Sequence, residues 1–527
     1  MIAPRIRAFA GIAAFAAIGA FAPAADAHAG QKAGTAATVR KTSAKRPAAR
    51  KPPARRPTRR ATTRTPAAPT WVRTEGPEEL ATRLSAALAG RTRSGRWGAV
   101  VVSLTKGDTL FAQNADGQMA PASTMKMYTS AIALDRFGSE YVFKTPVLRD
   151  GTVGTDGTLV GNLYLRGVGD PSLSNRFWKG GTPMDALAQQ VVQAGIRRVV
   201  GDVVGDATAF DSRLIPDGWK RSYLGAAYAA RVSALSLNEN LVWVVVRPNG
   251  TTADVTLEPA TTTIPITSTV RVTSGRGGRV SAARQPDGSV LVRGTIGSRS
   301  GPRKYSLVVE DPATFTTGAL RAALERAGVK VDGITRLGPT PPTATQIAAV
   351  ASPPLGQIVG EMNRESINIV AELLFRSAAA TPAQVGSAES GLLTLREFFS
   401  EKVHTRGDLI AVSDGSGLSE LDRVTARSMV ELLGYAHGSE WSSVFHASLP
   451  VEGESGTLRR RTGTPARGNL HAKTGTTNNV ASLGGFVTAR NGEVLAFSFI
   501  YNGSDRWNAK SAMDTMGATL AEFSRAR

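Results

Sequence analysis

The feature that most restricts the fold of this 527-residue chain is an interruption of texture. From Trp71 the chain alternates helical and strand patterning, between about residues 143 and 347 it turns rich in Gly, Val and Thr, and from Pro353 helical patterning returns. In the middle stretch, runs at 159–166, 197–204, 241–246, 255–257, 290–293 and 305–309 read as strands. Two short helices at 184–194 and 318–327 interrupt them. Each helix ends at Ala-Gly (Gly195, Gly328) and is followed by a strand and a second Gly (Gly201, Gly333), so two halves of one unit flank a smaller β-rich unit. The outer segments predict a helix with a Leu80, Leu84, Leu88 stripe, a hairpin at 97–112, a helix over 122–137, and helices at 358–362, 369–375, 391–399 and 425–435. They close with strands at 481–488 and 494–501 and a helix at 509–523; Asn491-Gly492 between the two alternating apolar strands is a strong hairpin signal. The expectation is an α/β (α+β) domain split in sequence, its two parts packed together and separated by a long, mostly β insertion. The expected divisions are 1–29, 30–70, a split domain at 71–145 and 346–527, an inserted domain at 146–224 and 301–345, and a nested β-rich domain at 225–300.

The first seventy residues have a different chemistry. Arg5 and Arg7 precede an apolar run, and Ala25-Asp26-Ala27 or Ala27-His28-Ala29 offers small residues for cleavage, so 1–29 reads as a signal peptide and the protein as exported, with an uncleaved anchor as the alternative. From Lys32 to Arg64 twelve Lys or Arg occur without one acid, a composition that cannot bury a core. Of the formal charge of +21, residues 30–64 supply +12 and residues 1–29 supply +1, leaving +8 for residues 65–527. An exported polycation suits anionic wall polymers or a membrane surface, or serves as a spacer; export argues against nucleic acid. Cysteine is absent, which removes disulfides and thiol chemistry, and the five His are scattered, so no metal and no cofactor are expected.

The chemistry sits in three short patterns. Ser123-Thr124-Met125-Lys126 follows Pro121 at the start of the predicted helix, where residues i and i+3 share a face and free backbone N–H groups gather. Lys126 can then take the Ser123 proton if burial lowers its pKa. Ser103-Leu104-Thr105-Lys106 also fits Ser-x-x-Lys, but strand alternation points Ser103 and Lys106 apart. Ser-x-Asn occurs at Ser236-Leu237-Asn238, inside the insertion and read as structural, and at Ser366-Ile367-Asn368, beside helical patterning, where a hydroxyl and an amide can relay a proton and hold a substrate amide. Lys473-Thr474-Gly475 occurs once and precedes Thr476 and the hairpin strands. A strand-borne Lys supplies positive potential, Thr474 a hydroxyl for a carboxylate, and Gly475 room for a substrate backbone.

Ser-x-x-Lys, Ser-x-Asn and Lys-Thr-Gly in this order resemble the penicillin-binding protein and serine β-lactamase superfamily. The 243 residues from Ser123 to Ser366 resemble its D-alanyl-D-alanine carboxypeptidase/endopeptidase branch, the class C low-molecular-mass penicillin-binding proteins, where two nested domains are inserted. Further matches are Gly169-Asp170-Pro171-Ser172-Leu173, Ser233 to Asn238, Met362 to Asn368, and Asp414-Gly415-Ser416-Gly417-Leu418-Ser419. The resemblance implies a transpeptidase-like fold, an antiparallel sheet with helices on both faces. It implies that Ser123 attacks the carbonyl between two D-alanines and Lys126 accepts its proton. Ser366 and Lys473 would protonate the leaving amine, and Asn368 would bind the substrate amide. The oxyanion would sit between the N–H groups of Ser123 and Thr476, with Thr474 on the terminal carboxylate. The implied partners are peptidoglycan stem peptides, with β-lactams as covalent inhibitors. The product step is hydrolysis, by a carboxypeptidase, or an endopeptidase where the bond is a cross-link. One departure is that Gly218-Trp219 precedes Lys220, Arg221, Ser222 and Tyr223, where members that bind a charged diaminopimelate end carry acids. A β-lactamase shares the motifs but not the long insertion. A non-catalytic wall-binding protein has no need of all five reactive residues, and a Ser-His-Asp hydrolase would show a Gly-x-Ser-x-Gly that this chain lacks.

Overall fold

The computed structural model describes residues 71–92 and 94–525. The expected signal peptide (1–29) and basic linker (30–70) lie outside the described residues. The split domain is built on a five-stranded antiparallel sheet of β1 (Arg96–Ser103), β2 (Thr109–Gln113), β3 (His471–Thr476), β4 (Val480–Thr488) and β5 (Val494–Asn502), in the order β3-β4-β5-β1-β2. Pairing of β1 with β5, Arg96 opposite Asn502, joins the two ends of the chain at the centre of the sheet.

Both faces of this sheet are buried, and strand alternation decides which side chain serves which face. From β5, Leu495, Phe497, Phe499 and Tyr501 enter one core with Leu80, Leu84 and Leu88 of α1 (Pro77–Arg91). Ala496 and Ile500 enter the other core, beside α2 (Met125–Phe137), α3 (Leu355–Glu365), α4 (Asn368–Ala379) and α5 (Ala426–Gly438). The C-terminal helix α6 (Arg506–Ala521) adds Met513 and Met516 to the first core. Helices therefore cover both faces, as the sequence led us to expect.

The insertion leaves after α2 and returns before α3. Its five-stranded sheet runs Thr335–Leu337, Val203–Asp206, Leu163–Arg166, Lys144–Arg149 and Thr345–Ala351. The internal echo is real: Val203–Asp206 and Thr335–Leu337 pair in parallel, as do Arg198–Val199 and Lys330–Val331. Gly201 and Gly333 stack at the breaks between them, and a Cβ on Gly333 would come within 2.3 Å of the Gly201 carbonyl oxygen. The continuous strands expected at 159–166 and 197–204 are each broken in two, the first at Gly161 and the second at residues 200–202. The helix expected at 318–327 begins at Pro312, because the Asp311 side chain caps it by accepting from Thr314 N and outweighs the poor helix propensity of the Thr residues that follow. Strand pairing also bears on the divisions. Boundaries at 145/146 and 345/346 cut the ladder between Lys144–Arg149 and Thr345–Ala351, and one at 300/301 parts Arg303–Val308 from its partner Leu241–Asn249. We therefore propose crossings just before Lys144, just after Ala351 and just after Val308.

Candidate active site

The turn that carries Ser123 is pinned to the sheet before the helix begins. Ala122–Thr124 forms one 3₁₀ turn that runs directly into α2. Ala122 has a φ of 48°, a left-handed conformation costly for alanine, and the Ala122 carbonyl packs so closely on Gly417 that a Cβ there would lie 1.8 Å away. Pro121 carbonyl accepts from Ser482 Oγ of β4 at 2.6 Å and from Thr124 Oγ1 at 2.8 Å. Ser123 is thereby presented, half-buried, at the edge of β3.

Lys126 is fully buried, and its ammonium has three neighbours. Nζ donates to Asn368 Oδ1 at 2.6 Å and to the Ser416 carbonyl at 2.8 Å, and lies 3.2 Å from Ser123 Oγ. A neutral amine has two N–H bonds and one lone pair. In the charged form Nζ donates to all three; once deprotonated, with both N–H bonds spent on Asn368 and Ser416, its lone pair is left for the Ser123 hydroxyl. Burial pushes the Lys126 pKa down to about 8, against the pull of Asp414, Glu372 and Asp422.

The second and third patterns close on the same point. Ser366 ends α3 in a left-handed conformation, φ 58°, and Asn368 opens α4. Lys473 Nζ on β3 donates to Ser366 Oγ at 2.9 Å and to the Thr474 carbonyl at 3.0 Å, and burial with the nearby Lys126 charge holds its pKa well below the usual lysine range. Asn368 Nδ2 donates to the Tyr228 carbonyl of the insertion at 2.8 Å, so both ends of its amide are engaged. Thr474 Oγ1 meets Thr457 Oγ1 at 2.8 Å on the open side. A Cβ on Gly475 would lie 3.0 Å from Ser123 N and 2.7 Å from the Pro121 carbonyl oxygen, so only glycine lets β3 pass this close to the Ser123 turn. Thr476 is exposed at the rim.

The Asp414–Ser419 run and the Gly218-Trp219 pair meet behind the site. Asp414 is buried and accepts from the backbone N–H groups of Ser416 (3.1 Å), Gly417 (2.6 Å) and Ser419 (2.7 Å), and from Trp219 Nε1 at 2.7 Å. That turn aims the Ser416 carbonyl at Lys126. Behind it, burial and Asp414 push the Asp422 carboxyl well above the carboxylate range and raise Glu372 to about 8. Around the mouth, a cavity of about 330 Å³ is lined by Ser123, Ser366, Asn368, Thr476 and Tyr228, with Arg506 as its charged wall. Arg506 donates to the Thr477 carbonyl at 2.7 Å. None of these partners could be read from spacing, since Trp219 and Asp414 are 195 residues apart.

The rival patterns do other work. Ser103 Oγ donates to Glu493 Oε2 at 2.8 Å while Lys106 is exposed, and Ser236 Oγ donates to the Ser233 carbonyl at 2.7 Å inside the insertion.

A buried lysine facing a serine at a helix start, closed by a second Ser–Lys pair on the edge strand of an antiparallel sheet, defines the penicillin-recognising serine-enzyme class. The chain belongs to the D-Ala-D-Ala carboxypeptidase 3 (S13) family, whose model matches residues 80–523. It is 35% identical over 448 residues to the D-alanyl-D-alanine carboxypeptidase of Actinomadura sp. (strain R39), covering 81% of each chain. It is 29% identical to the carboxypeptidase DacB of Mycolicibacterium smegmatis, over 84% of this chain and 83% of that one. Among solved structures it resembles penicillin binding protein 4 (dacB) from Haemophilus influenzae, with a TM-score of 0.69 at 23% identity over 83% of this chain and 98% of that one. That likeness carries the penicillin-binding fold.

Proposed function

We propose that this enzyme removes the terminal D-alanine of peptidoglycan stem peptides through an acyl-enzyme on Ser123, and that β-lactams acylate the same oxygen. The observation that carries this reading is Lys126 Nζ, which donates to Asn368 and Ser416 and lies 3.2 Å from Ser123 Oγ, so that in the neutral amine the lone pair is left for the Ser123 proton. Lys126 takes the Ser123 proton as Oγ attacks the carbonyl, and the tetrahedral oxyanion forms against the N–H groups of Ser123 and Thr476. The Ser366 hydroxyl, held by Lys473, delivers a proton to the departing amine. Asn368 keeps Lys126 in place through Oδ1, and Thr474 with Gly475 receives the terminal carboxylate beside Lys473. Water then hydrolyses the acyl-enzyme by the reverse proton route.

The stem-peptide side chain would enter past Tyr223 and Tyr228, where the lining residues include no acid. Lys220, which follows the Gly-Trp pair, is drawn to Glu420 at 2.5 Å. The subsite therefore suits a side chain without a free ammonium. We also infer export, from the Arg5, Arg7 and small-residue pattern before residue 30, with the basic stretch 30–70 acting on anionic envelope material. Incubation with a pentapeptide and with a cross-linked dimer tests the reaction: free D-alanine from the first is expected, and cleavage of the dimer adds endopeptidase activity. Turnover of a penicillin at a rate matching peptide hydrolysis would instead assign a β-lactamase.

A further inference from the structure

Outside the active site, the largest unexplained feature is a concentration of charge. Between residues 261 and 304 there are eight Lys or Arg and a single acid, Asp287, a net +7 against +8 for the whole of residues 65–527. This stretch forms a three-stranded sheet in which Val290–Gly297 lies between Ile266–Thr273 and Val280–Arg284. Alternation sorts its residues by face. Val270, Val272, Val280, Ala282, Val292 and Ile296 pack into the core of the insertion.

The odd-numbered residues form the outer face. Arg293 stands directly between Thr269 and Ser281, and Thr295 stands opposite Arg271, with Arg279 N donating to its hydroxyl at 3.4 Å. Three exposed guanidinium groups thus alternate with hydroxyls around a groove of about 480 Å³. Arg271 and Arg293 are diagonal neighbours across the ladder, a spacing long side chains can span, so their charges repel and an anion between them would relieve it. Among the described residues no carboxylate forms an ion pair with Arg271, Arg279 or Arg293: Glu258 is taken by Arg247 and Lys304, and Asp287 by the Ser289 N–H and hydroxyl.

We propose that this face binds a polymer of repeated phosphate groups, each guanidinium fork taking phosphate oxygens and the Thr and Ser hydroxyls donating between them. Arginine's planar fork matches a phosphate in two-point contact, and its charge does not depend on pH in the working range. The face is open and extended, with Arg276 and Arg299 in the turns at its end, where Arg299 N donates to the Gly275 carbonyl, and Arg303 of the neighbouring sheet reaching the Gly278 carbonyl at 2.7 Å, which suits a chain of charges and not one enclosed anion. No large exposed apolar side chain lies between residues 229 and 333, so nothing there would enter a bilayer. No aromatic residue lines the groove, so nothing there stacks a base.

The test uses the full-length protein and measures binding to a poly(glycerol phosphate) chain across a salt series. The triple variant Arg271→Gln, Arg279→Gln, Arg293→Gln is compared with a control triple of equal charge, Lys106→Gln, Arg166→Gln, Arg460→Gln. Because the basic stretch 30–64 is common to all three proteins, it cancels. The site variant is expected to lose about tenfold in affinity near 0.1 M salt and about two to three ions from the log–log salt slope, with the control close to wild type and penicillin labelling intact in both. Equal losses in the two triples, or none in the site variant, would overturn the proposal. So would full competition by millimolar inorganic phosphate, which would mean a single-anion site, or triple-dependent binding to phosphatidylglycerol vesicles with none to the polymer, which would mean a membrane surface.

Discussion

Replacing Gly475 with alanine puts a methyl group where β3 passes the nucleophile turn. The new Cβ would lie 2.7 Å from the Pro121 carbonyl oxygen, 3.0 Å from Ser123 N and 2.1 Å from Ser482 Oγ. The hydroxyl of Ser482 is itself held by the Pro121 carbonyl at 2.6 Å, so turning it away sacrifices the bond that pins the turn. Bringing the contact with the carbonyl from 2.7 Å out to an ordinary 3.4 Å needs a retreat of roughly 0.7 Å between strand and turn. A shift of that size at a reacting oxygen costs on the order of 10- to 100-fold in rate, while overpacking costs about 1–3 kcal/mol of stability. Stopped-flow acylation by a fluorescent penicillin measures the first, and a thermal melt the second. The expectation is a large loss of acylation rate in a protein that still folds. Acylation within twofold of wild type would refute the argument that the close approach of β3 sets the site.

Acylation should rise with pH through a limb near 8, where burial places Lys126, because the protonated amine cannot accept the Ser123 proton; below the limb the rate falls about tenfold per unit. A rate independent of pH from 6 to 9 would remove Lys126 as the base. Asp414→Asn deletes a charge that holds protons on Lys126, so the limb should move to lower pH while the maximal rate falls as the Ser416 turn loosens. Glu372 and Asp422, whose pKa values Asp414 holds up, ionise more readily in this variant and oppose the shift, so the limb is read with Glu372→Gln added to both proteins, where an unmoved limb would separate Asp414 from the base. Ser103→Ala should keep full labelling and lose about 1 kcal/mol of stability with the buried bond to Glu493, read as a small drop in melting temperature.

Local pattern carried much of the fold. The alternating apolar residues of β5, flanked by Asn491-Gly492, could hardly form anything but a strand of a two-sided core, and Gly138 closed α2 as expected, while its α-helical start came three residues late, at Met125, because Ala122–Thr124 forms a 3₁₀ turn. The Ser123 site was legible for the same reason: a helix start puts residues 123 and 126 on one face, whereas the strand at Ser103 does not. What stayed hidden depends on distance in space. The Asp311 cap overrode the weak helix propensity of the Thr-rich start of its helix. The ladder from Lys144 to Ala351 underlies the domain crossings we propose, and the Trp219–Asp414 bond links two segments that no local pattern relates. Asn368 was expected to bind the substrate amide, and its own amide also joins Lys126 to the Tyr228 carbonyl.

The most direct measurement is the site of covalent attachment. The purified protein treated with penicillin should carry one adduct, mapped by peptide mass spectrometry to Ser123, and Ser123→Ala should carry none while Ser103→Ala labels fully. An adduct on any other residue, or an alanine variant at 123 that still labels, would contradict the account.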